Sequence, residues 1–292
     1  MFARIENYLV LFTLIISMMS CKKYEEEIIT GNIAPPDTTI ENNVYEDYIN
    51  RTYIMVLGRE PLSTELAGAM TLLQNEKLSI TSREHFLNAV FSNVEYRYHI
   101  YEENRFNLLR DNDSSDVLQF ITLFNMALLD SSQMQSWPIY QYEVNRLYEL
   151  EDARNDFVSD SIDIITVQRR MVNNFFYDQL NMNAQNFVLA VFQQLINRTP
   201  TQNELLNGVA MVDGFNAIVF FQSGSSKDAF LDIILNTDDF YEGQVVQLYK
   251  KYLLRLPTSQ EMTAGTALYK NTGDFKKVQI EILKTDEFAG VK

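Results

Sequence analysis

Residues 53–66 read YIMVLGREPLSTEL, residues 192–205 read FQQLINRTPTQNEL, and residues 249–262 read YKKYLLRLPTSQEM. Aligned, the three stretches share one spacing: an aromatic residue, three positions, an apolar residue, one position, Arg, one position, Pro, three positions, Glu and a further apolar residue. Internal self-similarity at this level is the first thing to read in a chain, because it defines the unit that the fold stacks. Each stretch has a partner downstream, where a short polar step ends in an acid followed by an aromatic: Glu95-Tyr96, Asp239-Phe240 and Glu287-Phe288. The acid falls 36, 41 and 32 residues after the motif Arg. The two ends are therefore fixed while the connection between them varies, as loops between packed elements do.

Local chemistry turns the spacing into structure. Before the first motif, Tyr45, Tyr48-Ile49, Tyr53 and Val56-Leu57 recur at three and four, one face of a helix. Gly58 can end that helix in a left-handed turn without steric cost, and Asn197 can do so in the second copy. Leu254 holds the corresponding place in the third, which predicts a different helix end there. Pro61, Pro200 and Pro257 then stand where no backbone donor is needed. Thr201 to Glu204 and Thr258 to Glu261 match the Thr-x-x-Glu capping box that opens a helix, whereas Leu62 replaces the Thr in the first copy, so that Pro61 or Ser63 must open it differently. Each copy thus reads as a helix end, a tight turn and a helix start. The fold class expected is all-α: tandem helical repeats in three copies, with a helical middle insertion. The boundaries drawn from sequence are 44–100, 184–243 and 244–292 for the repeats and 101–183 for the middle segment. That segment carries no copy of the motif and reads either as a degenerate repeat or as an inserted subdomain; Gln141 to Asp152 and Ile162 to Leu180 have helical spacing.

Arg59, Arg198 and Arg255 admit two readings. A guanidinium binds carboxylates or phosphates of a ligand through its planar fork. The same fork can pair with an acid of its own repeat, either the capping Glu65, Glu204 or Glu261 or the later Glu95, Asp239 or Glu287. Recurrence of an acid at both ends of the unit favours the structural role.

The chain of 292 residues has 24 Lys+Arg against 39 Asp+Glu, a net charge of −15, which argues against a nucleic-acid partner. Its one Cys, Cys21, excludes a disulfide framework. With only His85 and His99 as imidazoles, a zinc site or a serine triad is not expected, and no phosphate-binding Gly-rich loop is present. Gln222 to Ser226 reads as a plain loop. Acids at Asp111, Asp113 and Asp116 resemble the start of a calcium loop, but Asp116 and Thr122 stand where such a loop needs Gly and Glu, so a helix cap at Ser115 or Asp116 is the better reading. No cofactor, no metal and no catalytic residue are expected, although scattered carboxylates leave a paired-acid hydrolase open. The 16 Tyr and 19 Phe are read mainly as packing residues, with glycan stacking as the rival. Arg169-Arg170 is expected on a solvated helix face.

Residues 8–19 form an uncharged run of twelve, too short for a bilayer span of ~20 residues but suited to the core of a secretory signal over 1–20. The run ends in Ser20-Cys21, which resembles a bacterial lipobox and implies lipidation of Cys21. Lys22 to Glu27 resembles the surface-export signal of Bacteroidetes lipoproteins. Residues 21–43 read as a tether with a flexible reach of ~26 Å. The repeats over 44–100 and 184–292 resemble a family of short tandem helical repeats in an uncharacterised bacterial domain, with Leu57-Gly58-Arg59-Glu60-Pro61 as the nearest match, and more distantly the linker domains of phycobilisomes. That resemblance implies helical modules for protein or surface attachment without catalytic residues. The expectation is a lipoprotein anchored in the outer membrane, periplasmic or surface-exposed, acting as a non-catalytic scaffold with an envelope protein partner; a glycan-binding lipoprotein and a carboxylate-dependent hydrolase are the alternatives.

Overall fold

Each sequence motif becomes the junction of two helices. The computed structural model describes residues 40–291; the expected signal peptide, Cys21 and all but the last few residues of the expected tether lie outside the described part. The fold is all-α. The first copy comprises α1 (Asn42–Leu57), α2 (Ser63–Asn75), α3 (Ile80–Phe91) and α4 (Val94–Leu109). The middle segment supplies α5 (Ser114–Leu129), a 3-10 turn (Ser131–Ser136), α6 (Trp137–Val158), α7 (Ile164–Val172) and α8 (Phe175–Leu180). The second copy holds α9 (Ala184–Val191), a π turn (Phe192–Ile196), α10 (Gln202–Val212), a hairpin of β1 (Ala217–Val219) and β2 (Gln222–Gly224), α11 (Lys227–Leu235) and α12 (Asp238–Leu253). The third adds α13 (Ser259–Thr272), α14 (Phe275–Leu283) and α15 (Asp286–Ala289).

Several sequence expectations are corrected. The boundaries at 100 and 243 fall inside α4 and α12, because α12 closes the second copy and opens the third, and α4 likewise serves two neighbours. From Ile40 onward the chain packs as one unit rather than as separate repeat domains. The stretch 222–226 contributes a strand of an antiparallel hairpin, not a plain loop, with Val219 opposite Gln222. Asp113, not Ser115 or Asp116, caps α5 by accepting from the Ser115 and Asp116 amides. Asn173 and Asn174 break the expected helix 162–180 into α7 and α8, since the Asn174 side chain accepts from the Tyr177 amide and starts a new helix. Arg169 and Arg170 are half-buried and ion-paired rather than free on a solvated face: Arg169 donates to Asp228 and Asp232, and Arg170 to Asp156. Leu254 ends α12 in the left-handed conformation at φ 54°, as Gly58 and Asn197 do at 74° and 59°, despite its side chain.

The middle segment follows the same frame as the three copies, with its motif residues replaced. The closing aromatics Tyr96, Phe240 and Phe288 have a fourth counterpart in Tyr177, and all four are buried. Each stands three residues after its helix cap: Asn93, Thr237, Thr285 and Asn174. At the opposite end, Arg110 precedes the cap Asp113 by three residues, as each motif Arg precedes its cap. The insertion of α6 and the loss of the Pro and aromatic residues hide this correspondence from a sequence alignment.

The last helices pack on the first. Tyr48 meets the Phe288 ring edge-on at 5.8 Å, and the Arg51 guanidinium lies 4.4 Å above that ring and donates to the Phe288 carbonyl. Arg83, only 3 % exposed, reaches Asp286 at 2.6 Å. The Tyr96 hydroxyl donates to Gln279 Oε1 at 2.6 Å, and Gln279 Nε2 donates to the Tyr252 hydroxyl at 2.7 Å, so α4, α14 and α12 share one buried chain of hydrogen bonds.

Candidate functional site: clamps, hairpin and cleft

The motif is a clamp. Arg59 Nη1 and Nη2 bind Glu65 at 2.8 and 2.9 Å, while Nε and Nη2 bind Glu95 at 2.5 and 3.1 Å. Its remaining donor goes to the Glu60 carbonyl. Arg198 repeats this with Glu204, Asp239 and the Thr199 carbonyl, and Arg255 with Glu261, Glu287 and the Leu256 carbonyl. All five guanidinium donors are engaged three times over, which leaves none for an outside ligand. The sequence reading offered one acid or the other; the structure brings both to each Arg. The acids occupy the first turns of their helices, where carboxylates also meet the positive end of the helix dipole. The motif aromatic lies under its Arg: Tyr53, Phe192 and Tyr249 rings are 5.6, 5.1 and 5.3 Å from the guanidinium carbons. Hydrogen bonds from Arg198 and Arg255 hold the Glu204 and Glu261 carboxyls down to about 2. The same cause holds Glu65, Glu95 and Glu287 below the usual carboxylate range.

The second copy carries a protruding feature absent from the other two. Residues 214–226 contain no charged side chain, and their hairpin turns on Phe220 and Phe221, both left-handed at φ 49° and 61°. Two-residue turns of this kind favour Asn-Gly, because only small residues tolerate positive φ; a bulky side chain there costs ~1–2 kcal/mol each. Phe220 is fixed from below, stacked on Phe192 at 6.1 Å with Arg198 5.8 Å from its ring. Phe221 is fully exposed, with Phe215 and Ile218 also largely exposed. The clamp thus holds one side of a strained turn whose other aromatic points to solvent.

A cleft of about 590 Å³ lies between α4, α7, the π turn and α12, within the ~300–1,000 Å³ range of small-ligand sites. Its wall is built by close approach: any side chain at Gly243 would collide with the Ile196 carbonyl, so only Gly lets α12 rest on the π turn. That contact lets Gln244 Nε2 donate to the Leu195 carbonyl at 3.0 Å and Gln247 Nε2 to the Gln194 carbonyl at 2.6 Å. π turns of this kind occur often at functional sites. Beneath them Gln168, 4 % exposed, donates to Asn104 and Gln244, while its own Oε1 has no partner among the described residues. At the rim Lys251 pairs with Glu103 at 2.6 Å. Burial pushes the Glu103 carboxyl up, but His99 and Lys251 outweigh it and hold the group below its ordinary value.

Sequence reasoning missed the hairpin and the cleft. The uncharged run 214–226 was a visible signal for the first. The cleft gathers amides from four separated segments, which no local spacing announces. His85 is exposed on α3, and His99 packs against Gly58. No helix among the described residues is long and apolar enough to cross a membrane. No protein-family model, curated protein or solved structure matches the chain.

Proposed function

We propose that this chain is a non-catalytic interaction module of the cell envelope, anchored in the outer membrane through lipidated Cys21, and that the hairpin of the second copy is its grip on a protein partner. One observation carries the reading: Phe220 and Phe221 both occupy a conformation that costs free energy, and the product is a fully solvent-exposed Phe221 ring. Strain that persists in a well-supported turn points to use at that spot, and interface hot spots include large side chains that fill a desolvated pocket of the partner. The clamps supply a rigid base through Arg198.

The paired-acid hydrolase gains no support from the acids that do come together. Glu65 with Glu95, Glu204 with Asp239 and Glu261 with Glu287 are each clamped by one Arg. A glycosidase needs one member raised to act as general acid, whereas in these pairs the shifted carboxyls move down.

The test is affinity capture of the full lipidated protein from its own envelope, comparing wild type with Phe221→Ala and Phe221→Asn. Loss of a hot-spot aromatic, worth ~2 kcal/mol or more, should reduce partner recovery at least tenfold while the melting temperature stays unchanged or rises. Equal recovery of the same partner by all three proteins would remove the hairpin from the interface. A companion experiment, Cys21→Ser with metabolic labelling by a radioactive fatty acid, should abolish label incorporation.

A further inference from the structure

From the fate of the fourth frame Arg we infer that the cleft between α4, α7, the π turn and α12 binds a hydroxyl-rich anion of the sugar-acid class, with Arg110 and Lys250 receiving its carboxylate. Three Arg residues at this frame position are saturated by two carboxylates each. At the fourth junction three of the clamp's four partner positions are exchanged. Asn104 stands six residues before Arg110, where the others have the aromatic; Asn112 replaces the Pro; and Phe176 occupies the second helical position of α8, where the others have the second acid. Asp116 remains at the capping position, where it accepts from the Asp113 amide at 2.9 Å, but it makes no ion pair with Arg110. Arg110 makes no ion pair among the described residues, and it lines the cleft together with Asn104.

The same exchange reshapes the cleft chemically. Lys250, on the facing helix, touches only the Asn197 amide oxygen at 3.2 Å and no acid. A chain of net charge −15 thus keeps two cations without acid partners at one cleft. Two cations that line one cleft with no acid of the chain to offset their charge are open to an anion from outside. Amide side chains share the lining with apolar residues such as Leu195, Leu248 and Phe275 and with the Lys251–Glu103 pair. Asn107 and Gln193 line the cleft, and their side chains make no hydrogen bond within the described residues. A carboxamide both donates and accepts, which matches the hydroxyl of a polyol better than it matches a bare inorganic anion. The unpartnered Gln168 Oε1 at the base of the network is a further acceptor left over after the protein's own pairing. This site is separate from the Phe221 hairpin, and its success or failure does not depend on the partner proposal.

The experiment is calorimetric titration of the full lipidated chain in detergent with trigalacturonate, a glucuronate-containing hexasaccharide and sialyllactose. Galactotriose serves as the neutral comparison and sodium sulfate as the plain anion. At least one acidic sugar should bind saturably, at least tenfold tighter than galactotriose and tighter than sulfate. Arg110→Gln and Lys250→Gln should each weaken that binding at least tenfold, Gln193→Ala should weaken it severalfold, and circular dichroism should show an unchanged fold. The inference is overturned if no acidic sugar saturates, if sulfate binds as tightly, or if the folded variants bind as wild type does.

Discussion

At the scale of single residues, the chain carries backbone penalties at several non-glycine positions. Leu254 is the clearest case. It sits left-handed at φ 54° and 87 % exposed, where Gly58 and Asn197 hold the same place at no or little steric cost. Because its side chain makes little buried contact, removing the backbone conflict should cost nothing elsewhere. Leu254→Asn is therefore expected to stabilise the protein by about 1 kcal/mol, read as a rise in melting temperature of ~2–4 °C for a chain of this size; no change would mean that the Arg255 clamp already absorbs the strain. Arg255 itself cannot be exchanged conservatively. A Lys offers three donors from one point, whereas the clamp uses five in a plane across two carboxylates. Arg255→Lys should cost about 2 kcal/mol, the range for hydrogen bonds to charged groups, and the Glu287→Gln Arg255→Lys double variant should recover part of it by removing one of the two facing charges.

At the scale of elements, the clamp ties together three helix ends, the third of which places its acid more than thirty residues beyond the clamp Arg in sequence. One Arg leaves the end of one helix and joins the first turns of two others, so its acids also serve as caps: Glu204 accepts from the Thr201 amide and Glu261 from the Thr258 amide, both at 2.7 Å. The resulting pH dependence has a definite sign. A carboxyl lowered from 4.5 to about 2 on folding contributes stability that is fully present above about pH 4.5 and is lost as the pH falls through about 2. Melting temperature should therefore drop between pH 5 and 2, and a Glu204→Gln Glu261→Gln variant, less stable at neutral pH, should show a shallower drop; parallel curves would show that other acids govern the transition. The helices of the repeats, the Thr201 and Thr258 caps and the clamp acids were legible in sequence because each is set by residues within a short window or by a recurring type. The hairpin was not, since Phe-Phe contradicts the turn chemistry that such a hairpin normally announces. The Leu254 helix end was misread for the same reason: a propensity was applied where the clamp overrides it. The cleft was invisible because Gln168, Gln193 and Gln247 acquire meaning only once α7, the π turn and α12 are adjacent.

At the scale of the whole molecule, the question is whether the repeated units fold separately or together. Stacked units that meet only their neighbours unfold piecewise, with stability close to a sum of local terms. Here α12 belongs to two units at once, and the last helices return to the first through Tyr48, Arg51 and Arg83. The Tyr96–Gln279–Tyr252 chain lies in the interior of that closure, where each group satisfies the next. Burial raises the Tyr96 hydroxyl well above its usual value, so it stays a neutral donor throughout the ordinary pH range. Gln279→Leu would strand both tyrosine hydroxyls, each at the ~1–3 kcal/mol cost of an unpaired buried polar group. If closure couples the units, that single change should lower the unfolding midpoint of the whole chain in one transition. Denaturant unfolding followed both by the Trp137 fluorescence in the middle segment and by far-ultraviolet circular dichroism should then shift together. If the two probes separate, with Trp137 holding its wild-type midpoint while helicity falls early, the C-terminal helices unfold as an independent module and the coupling through α14 does not exist.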